Sequence, residues 1–282
     1  MRRAWRALAA AAALALPACA QAKSFECLIQ PSEVVEVRSP TTGVISKIRV
    51  QRGDRVKAGE VLVELDSSVE RSAAAVADYR AKMEGRIKAA NERLQYATKK
   101  LERAAELQKQ HFVAAQAHDD ALSEKRVAAA DLEDALENRQ LAKLDYRHAV
   151  DLLDQRTLRS PFDGLVIDRM LNPGDLTEYG TDSKAILKLA KIDPLRVEVV
   201  LPADYYGRLH LGMMGEVSPE GGLGGRYRAK ITVIDRVFDA ASGTFGVRLE
   251  LPNPHGNVPG GIRCQVDFPN LEAAEAKPSA SR

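Results

Sequence analysis

The chain has 282 residues, with 41 Lys+Arg against 39 Asp+Glu and a net charge of +2. That balance removes the electrostatic case for nucleic acid, which needs a clustered basic excess. Hydrophobic residues at 45% exclude a mostly disordered chain. No apolar run reaches the roughly 20 residues of a membrane span, which excludes an integral membrane protein outside the N-terminus.

The N-terminus reads as an export signal. Arg2, Arg3 and Arg6 precede an apolar run from Ala7 to Leu16, then Pro17 and the small-residue site Ala20-Gln21-Ala22. Cleavage after Ala22 is the reading taken, so residues 1–22 are a signal peptide and the mature protein is periplasmic. A second reading stays open: Leu16-Pro17-Ala18-Cys19 is similar to a lipoprotein box. Acylation of Cys19 would anchor the chain to the inner membrane. Beyond Cys19 two thiols remain, Cys27 and Cys264, in an oxidising compartment. They form either a disulfide or two buried free cysteines on unrelated strands.

A segment of strand character, residues 23–38, precedes the first motif and is expected to join a later β-barrel. From Ser67 to Gln155 there is no Pro and one Gly, Gly85, in a background of Ala, Glu, Lys, Arg and Leu. This composition predicts long helices over residues 67–156. Ser67 and Glu70 have capping-box spacing. Val69, Val76, Met83, Ala90, Ala97 and Ala104 recur every seven residues, and Ala73, Arg80, Ile87, Leu94 and Leu101 follow four behind. That stripe predicts a coiled-coil seam. It blurs between Gln110 and Gln116, then two adjacent series begin. They are Leu122, Ala129, Leu136, Lys143 and Val150, and Ala121, Ala128, Ala135, Ala142 and Ala149. The second helix therefore folds back on the first, each arm about 40 residues or roughly 60 Å long.

The segments flanking the helices repeat one another. Ser39, Pro40, Gly43, Gly53, Asp54 and Gly59 recur 121 residues later as Ser160, Pro161, Gly164, Gly174, Asp175 and Gly180. Each copy is a turn, a short β run, a Gly-Asp turn and another strand, with Gly43, Gly53, Gly164 and Gly174 carrying the turns. A unit this short cannot bury its own apolar face, so residues 39–66 and 157–190 must pack together. Short β runs with Gly- and Pro-rich turns fill residues 191–269 and predict a small β-barrel. Residues 270–282 read as a disordered tail.

A duplicated half-motif around a helical hairpin, followed by a barrel, resembles the periplasmic adaptor subunits of tripartite efflux systems. These are the membrane fusion, or HlyD-like, proteins. The residues that carry the resemblance are Ser39-Pro40-x-x-Gly43, Val50-x-x-Gly53-Asp54-x-Val56-x-x-Gly59 and Leu158 to Gly164. Asp193-Pro194-Leu195, Gly246 to Leu249, Asn253-Pro254 and Val258-Pro259-Gly260-Gly261 add to it in the barrel, with Gly261 where methionine is commoner. The fold implied is α+β, elongated and modular. A coiled-coil hairpin is inserted in a lipoyl-like β sandwich, and a small β-barrel follows.

The resemblance also implies a function. The family's hairpin tip meets a TolC-type outer-membrane duct through an Arg, a Leu four later and a Ser seven beyond. Those positions are Arg103, Leu107 and Ala114 here, with Asp119 in step; Ala114 lacks the usual hydroxyl. The partners implied are an inner-membrane pump, of the resistance-nodulation-division class rather than ABC, and further copies in a hexameric ring. Few residues follow the barrel, so the membrane-proximal domain of many adaptors is expected to be missing.

Other classes have less support. A lipoyl carrier needs a lysine at the hairpin tip, and Glu64-Leu65-Asp66-Ser67-Ser68 offers none. His111, His118, His148, His210 and His255 are scattered, without HExxH or GxSxG, so neither an enzyme nor a bound cofactor or metal is expected. Met213-Met214 reads as packing rather than as a soft-metal pair. The alternative that shares this architecture is an exported coiled-coil envelope scaffold with no role in transport.

Overall fold

A computed structural model describes residues 24–110, 112, 114–180, 183–222 and 224–269. The signal segment with Cys19, His111 and the tail lie outside the described residues. The first elements are β1 (Phe25–Val37), β2 (Gly43–Ile48), β3 (Arg55–Val56), β4 (Val61–Leu65), α1 (Ser68–Lys82), α2 (Gly85–Lys109) and α3 (Ala115–Asp154). Then come β5 (Thr157–Arg159), β6 (Gly164–Arg169), β7 (Leu176–Thr177), β8 (Leu187–Pro202), β9 (Met214–Pro219), β10 (Tyr227–Ile234), β11 (Thr244–Leu251) and β12 (Ile262–Asp267). The chain divides into two compact units, Val34–Ala190 and the remainder.

In Val34–Ala190 the two half-motifs exchange strands. β2 pairs with β7 from the other half, Gly43 opposite Thr177 and Val44 opposite Leu176. β3 pairs with β6, Val56 opposite Gly164 and Arg55 opposite Leu165. The turns repeat the exchange at the same offset. Gly53 N–H donates to Val166 O at 2.9 Å, and its counterpart Gly174 N–H donates to Ile45 O at 2.8 Å. Gly53 and Gly174 hold φ of +93° and +94°, a region that an L side chain rarely enters. Each Gly-Asp turn is closed by its own aspartate: Gln51 N–H donates to Asp54 Oδ2 at 2.7 Å and Asn172 N–H to Asp175 Oδ2 at 2.8 Å. The buried side chains between the halves include Ile45, Leu62, Val63, Val166 and Ile186.

The helices depart from the sequence reading in two respects. The first arm is broken: Met83 is extended (φ −66°, ψ 123°) between α1 and α2. Glu84, at the break, is held by Arg139 of α3 at 3.0 Å. The break changes which face packs. On α2 the expected series is the seam, with Ala90 and Ala97 buried. On α1 the seam is Ala74 and Ala81, and Val69, Val76 and Met83 face away from it. From Ala81 to Ala90 the seam advances nine residues where a heptad advances seven. α3 contributes Ala121, Ala128 and Ala135, so of its two series the alanine one packs. The capping box also gives way to other partners. Ser67 is the N-cap but makes no side-chain cap bond. Asp66 Oδ1 instead accepts from Ser68 N–H at 3.1 Å, which holds the Asp66 carboxyl below its usual range.

The other unit is a six-stranded barrel in the order β1-β12-β9-β10-β11-β8, closed by pairing of β1 with β8. Strict alternation fills it. Leu195, Val197, Val199 and Leu201 on β8 and Phe245, Val247, Leu249 and Leu251 on β11 all point inward. β9 carries the weakest sequence signal of these strands, because its inward residues are Gly215 and Val217. Asn253 is buried in the turn after β11. It donates to Ile192 O at 3.0 Å and to Val258 O at 2.9 Å, and its Oδ1 accepts from Val258 N–H at 3.1 Å. Cys27 and Cys264 are directly opposed on β1 and β12, with Cα atoms 4.8 Å apart, and their sulfurs are bonded.

That bond joins residues 237 apart in sequence. Replacing both cysteines by serine is expected to cost about 5 kcal/mol by the loop-entropy relation, seen as a lower urea midpoint in circular dichroism. Gly164 gives a second expectation. A Cβ there would lie 2.6 Å from Ala190 O and 2.8 Å from the Phe162 ring. Gly164→Ala should therefore destabilise by about 1–3 kcal/mol in the same measurement.

Candidate functional site

The far end of the helical arms is where the sequence placed its contact residues. α2 stops at Lys109, and Phe112 N–H donates to Leu107 O at 2.9 Å, turning the chain back. Ala114 is extended (φ −66°, ψ 153°) and is the N-cap of α3, with Ala117 N–H donating to Ala114 O at 3.1 Å. Arg103, Leu107, Ala114 and Asp119 are all exposed. Arg103 and Leu107 are one helical turn apart on α2, while Ala114 and Asp119 belong to the start of α3. The Asp119 carboxylate has His118 Nδ1 beside it at 3.3 Å. Below the tip Lys100 of α2 bridges to Glu124 of α3 at 2.5 Å, and this carboxylate raises the Lys100 ammonium above its usual range.

Two residues, one at each end of the arms, were not singled out from the sequence. Phe112 is 75% exposed at the turn and Leu107 42%, so the tip presents two adjacent apolar side chains to solvent. The signal for Phe112 was its isolation, one aromatic between two helices in a chain with 5% aromatic residues. Arg156 is the other. At the base of the arms its guanidinium bonds Glu70 at 2.6 Å and Thr42 O at 2.9 Å, and both members of the ion pair are largely buried. Gly43 lies against it: a Cβ there would be 2.6 Å from Arg156 Nη1. One side chain therefore ties the end of α3 to the first turn of α1 and to the strand entry at Gly43.

Among the described residues no cluster of three His, Cys, Asp or Glu could hold a metal, and no helix is long and apolar enough to cross a membrane. What the geometry offers is a mounted arm with an exposed tip.

Residues 33–190, which span the exchanged half-motifs and the helices, match the profile of the CzcB-like barrel-sandwich hybrid domain. The chain belongs to this family. Among the relatives of this barrel-sandwich protein is the macrolide export protein MacA of Yersinia pestis. It is 29% identical over 229 residues, covering 78% of this chain and 60% of the relative. Another is the efflux pump periplasmic linker BepD of Brucella suis biovar 1, 25% identical over 265 residues, covering 88% of this chain and 63% of the relative. The chain thus spans about three-fifths of the length of both. In fold it is similar to crystalline MacA from Actinobacillus actinomycetemcomitans, with a TM-score of 0.73 at 20% identity, over 88% of this chain and 79% of that one. The chain is accordingly a homologue of membrane fusion and periplasmic adaptor proteins.

The mounting at Arg156 is open to test. Arg156→Ala leaves the Glu70 carboxylate and Thr42 O without this donor, and the expected loss is about 1–3 kcal/mol. Hydrogen exchange should rise first in the opening turn of α1 and around Gly43, while the barrel amides keep their protection.

Proposed function

We propose that this chain is a periplasmic adaptor that links an inner-membrane efflux pump to an outer-membrane exit duct and supports export of small molecules. The observation that carries the reading is the exposed tip of Arg103, Leu107 and Phe112 on arms rooted in the barrel-sandwich fold. The relatives support it by their names, one a macrolide exporter and one a periplasmic linker of an efflux pump. A disulfide between Cys27 and Cys264 agrees with an oxidising compartment.

In this reading the protein performs no chemistry. Residues 39–66 and 157–190 form the lipoyl-like module, residues 67–156 the hairpin, and residues 23–38 with 191–269 the barrel. Arg103 supplies a fixed cation and Leu107 and Phe112 an apolar contact for a TolC-type duct, with Ala114 and Asp119 on the returning helix. Copies arranged in a ring, six by family resemblance, would enclose a path between pump and duct. On the same resemblance the pump is of the resistance-nodulation-division class.

A photo-crosslinking residue at Gln110 or Ala115, both exposed, tests the tip in cells. A duct protein in the adduct supports the reading; adducts only between copies, or none, shift it to an envelope scaffold. Leu107→Asp and Arg103→Glu are each expected to abolish export while circular dichroism stays unchanged. Export at the wild-type rate by either variant would remove the duct role from this tip.

A further inference from the structure

α1 has two faces suited to α3, and the structure uses one. The face in use is Ala74 and Ala81, with Ala77 and Asp78 half-buried beside them. The other is Val69, Val76 and Met83, between 52% and 74% exposed. This second face is the one that continues, by sevens, into Ala90 and Ala97, which α2 buries against α3. A helix running unbroken from α1 into α2 would therefore turn Val69, Val76 and Met83 toward α3. That would cover three larger apolar side chains and release two alanines, so apolar burial favours the unbroken helix.

Polar partners hold the broken form. Glu70 and Arg156 pair at 2.6 Å, largely buried, and turning α1 over would part them. The second hold, Glu84 with Arg139 at the break, is weaker. Both side chains are partly exposed, and pairs of that kind add little. Arg139 Nε is also buried without a hydrogen-bond partner, so the guanidinium is incompletely satisfied in this arrangement. Gly85 is the weak point of the joint. A Cβ there would meet nothing within 4 Å and its φ is not positive, so neither space nor backbone requires glycine. Its effect is to lower helix propensity where α1 and α2 would join.

We propose that α1 is a two-register element. It packs on α3 through Ala74 and Ala81 when the chain is broken at Met83, and through Val69, Val76 and Met83 when α1 and α2 join as one helix. The two faces are two residues apart, so the exchange rotates α1 by about half a turn and shifts its register on α3 by about 3 Å. Arg80, the polar member of the flanking series, would be carried toward α3 within about a turn of the level of Asp145. α3 serves both forms with the same unbroken alanine series. Two packings of one sequence, divided by a few ion pairs, make a bistable joint near the root of the arms. The broken form shows solvent its valine face and the joined form its alanine face. A partner that covers the valines therefore selects the broken form. The exchange lies within one chain and does not depend on what the tip meets.

Cysteine pairs in the full chain read the two packings. Ala149 belongs to the alanine series of α3, and the two ion pairs set it near the level of both Ala74 and Val76. Ala74→Cys with Ala149→Cys reports the packing observed, and its closure also shows that Ala149→Cys folds. Val76→Cys with Ala149→Cys reports the exchanged packing. Under mild oxidation, with adducts identified by mass spectrometry, the first pair is expected to close faster and the second to close as well. Adding Gly85→Ala should raise the ratio of second to first roughly two- to fivefold, the propensity difference between the residues. Adding Glu84→Gln should raise it further. A Val76 pair that stays open in the Gly85→Ala chain while the Ala74 pair closes would mean one packing and overturn the proposal. So would a ratio that Gly85→Ala leaves unchanged, or a Val76 adduct found only between copies. Without any cysteine, Gly85→Ala should also slow amide exchange at residues 85–87, the free N–H groups that open α2 in the broken form. Unchanged exchange there counts against the proposal equally.

Discussion

The exchange of hydrogen bonds between the half-motifs is the constraint on which the rest of Val34–Ala190 depends. Gly53 N–H is satisfied by Val166 O in the other half, and Gly174 N–H by Ile45 O in the first. Neither turn can be completed by its own half, so the halves must meet before either is folded. The residues that feed the helices, Asp66 and Thr157, are thereby brought together at one end of the sandwich. The insertion of about ninety residues begins and ends at this one place, and the arms inherit their root from it. Loop-closure entropy grows only slowly with length, so a long insertion there costs little more than a short one.

The arms are built on a different principle. Their seam is alanine on both sides, Ala74, Ala81, Ala90 and Ala97 against Ala121, Ala128 and Ala135. Small residues let backbones approach closely but remove little apolar area from water, so the seam specifies geometry more than it stabilises. Cross-arm ion pairs at Glu70–Arg156, Glu84–Arg139 and Lys100–Glu124 set the register from root to tip. Only the first is largely buried, and exposed pairs of this kind add little energy. Larger apolar residues either flank the alanines half-buried, as Ile87, Leu94, Leu101 and Leu122 do, or lie exposed away from the seam, as Val76 and Leu144 do.

What was legible in the sequence followed from local rules. The repeated Ser-Pro and Gly-Asp positions mark turns because the backbone geometry there demands glycine, and the structure gives Gly53 and Gly174 the same φ. The alanine series of α3 was readable as a packing face because its period was unbroken. α1 was not, since its strongest heptad series runs straight through Met83 while the helix does not. Gly85, the one glycine of the helical segment, opens α2 directly after the break and was its only local signal; Glu84 is held there by Arg139, which is 55 residues away in sequence. Arg156 and the Glu70 pairing were hidden for the same reason, as long-range partners of residues that look like ordinary surface charges. At the tip, Arg103 and Leu107 came from resemblance, while Phe112 became conspicuous only once its exposure was known.

The strand order of the barrel has a consequence for how the protein is made. Phe25–Ile29 pairs with Ile262–Val266, so a strand laid down near the start of synthesis waits for one laid down near the end. Until residue 266 exists, β1 has an open edge that other extended segments can occupy. The sandwich and the arms, whose partners all lie before Ala190, can be finished in that interval. A chain that ends before Ile262 therefore lacks the strand that pairs with β1, while every strand and helix of the Val34–Ala190 unit is already present.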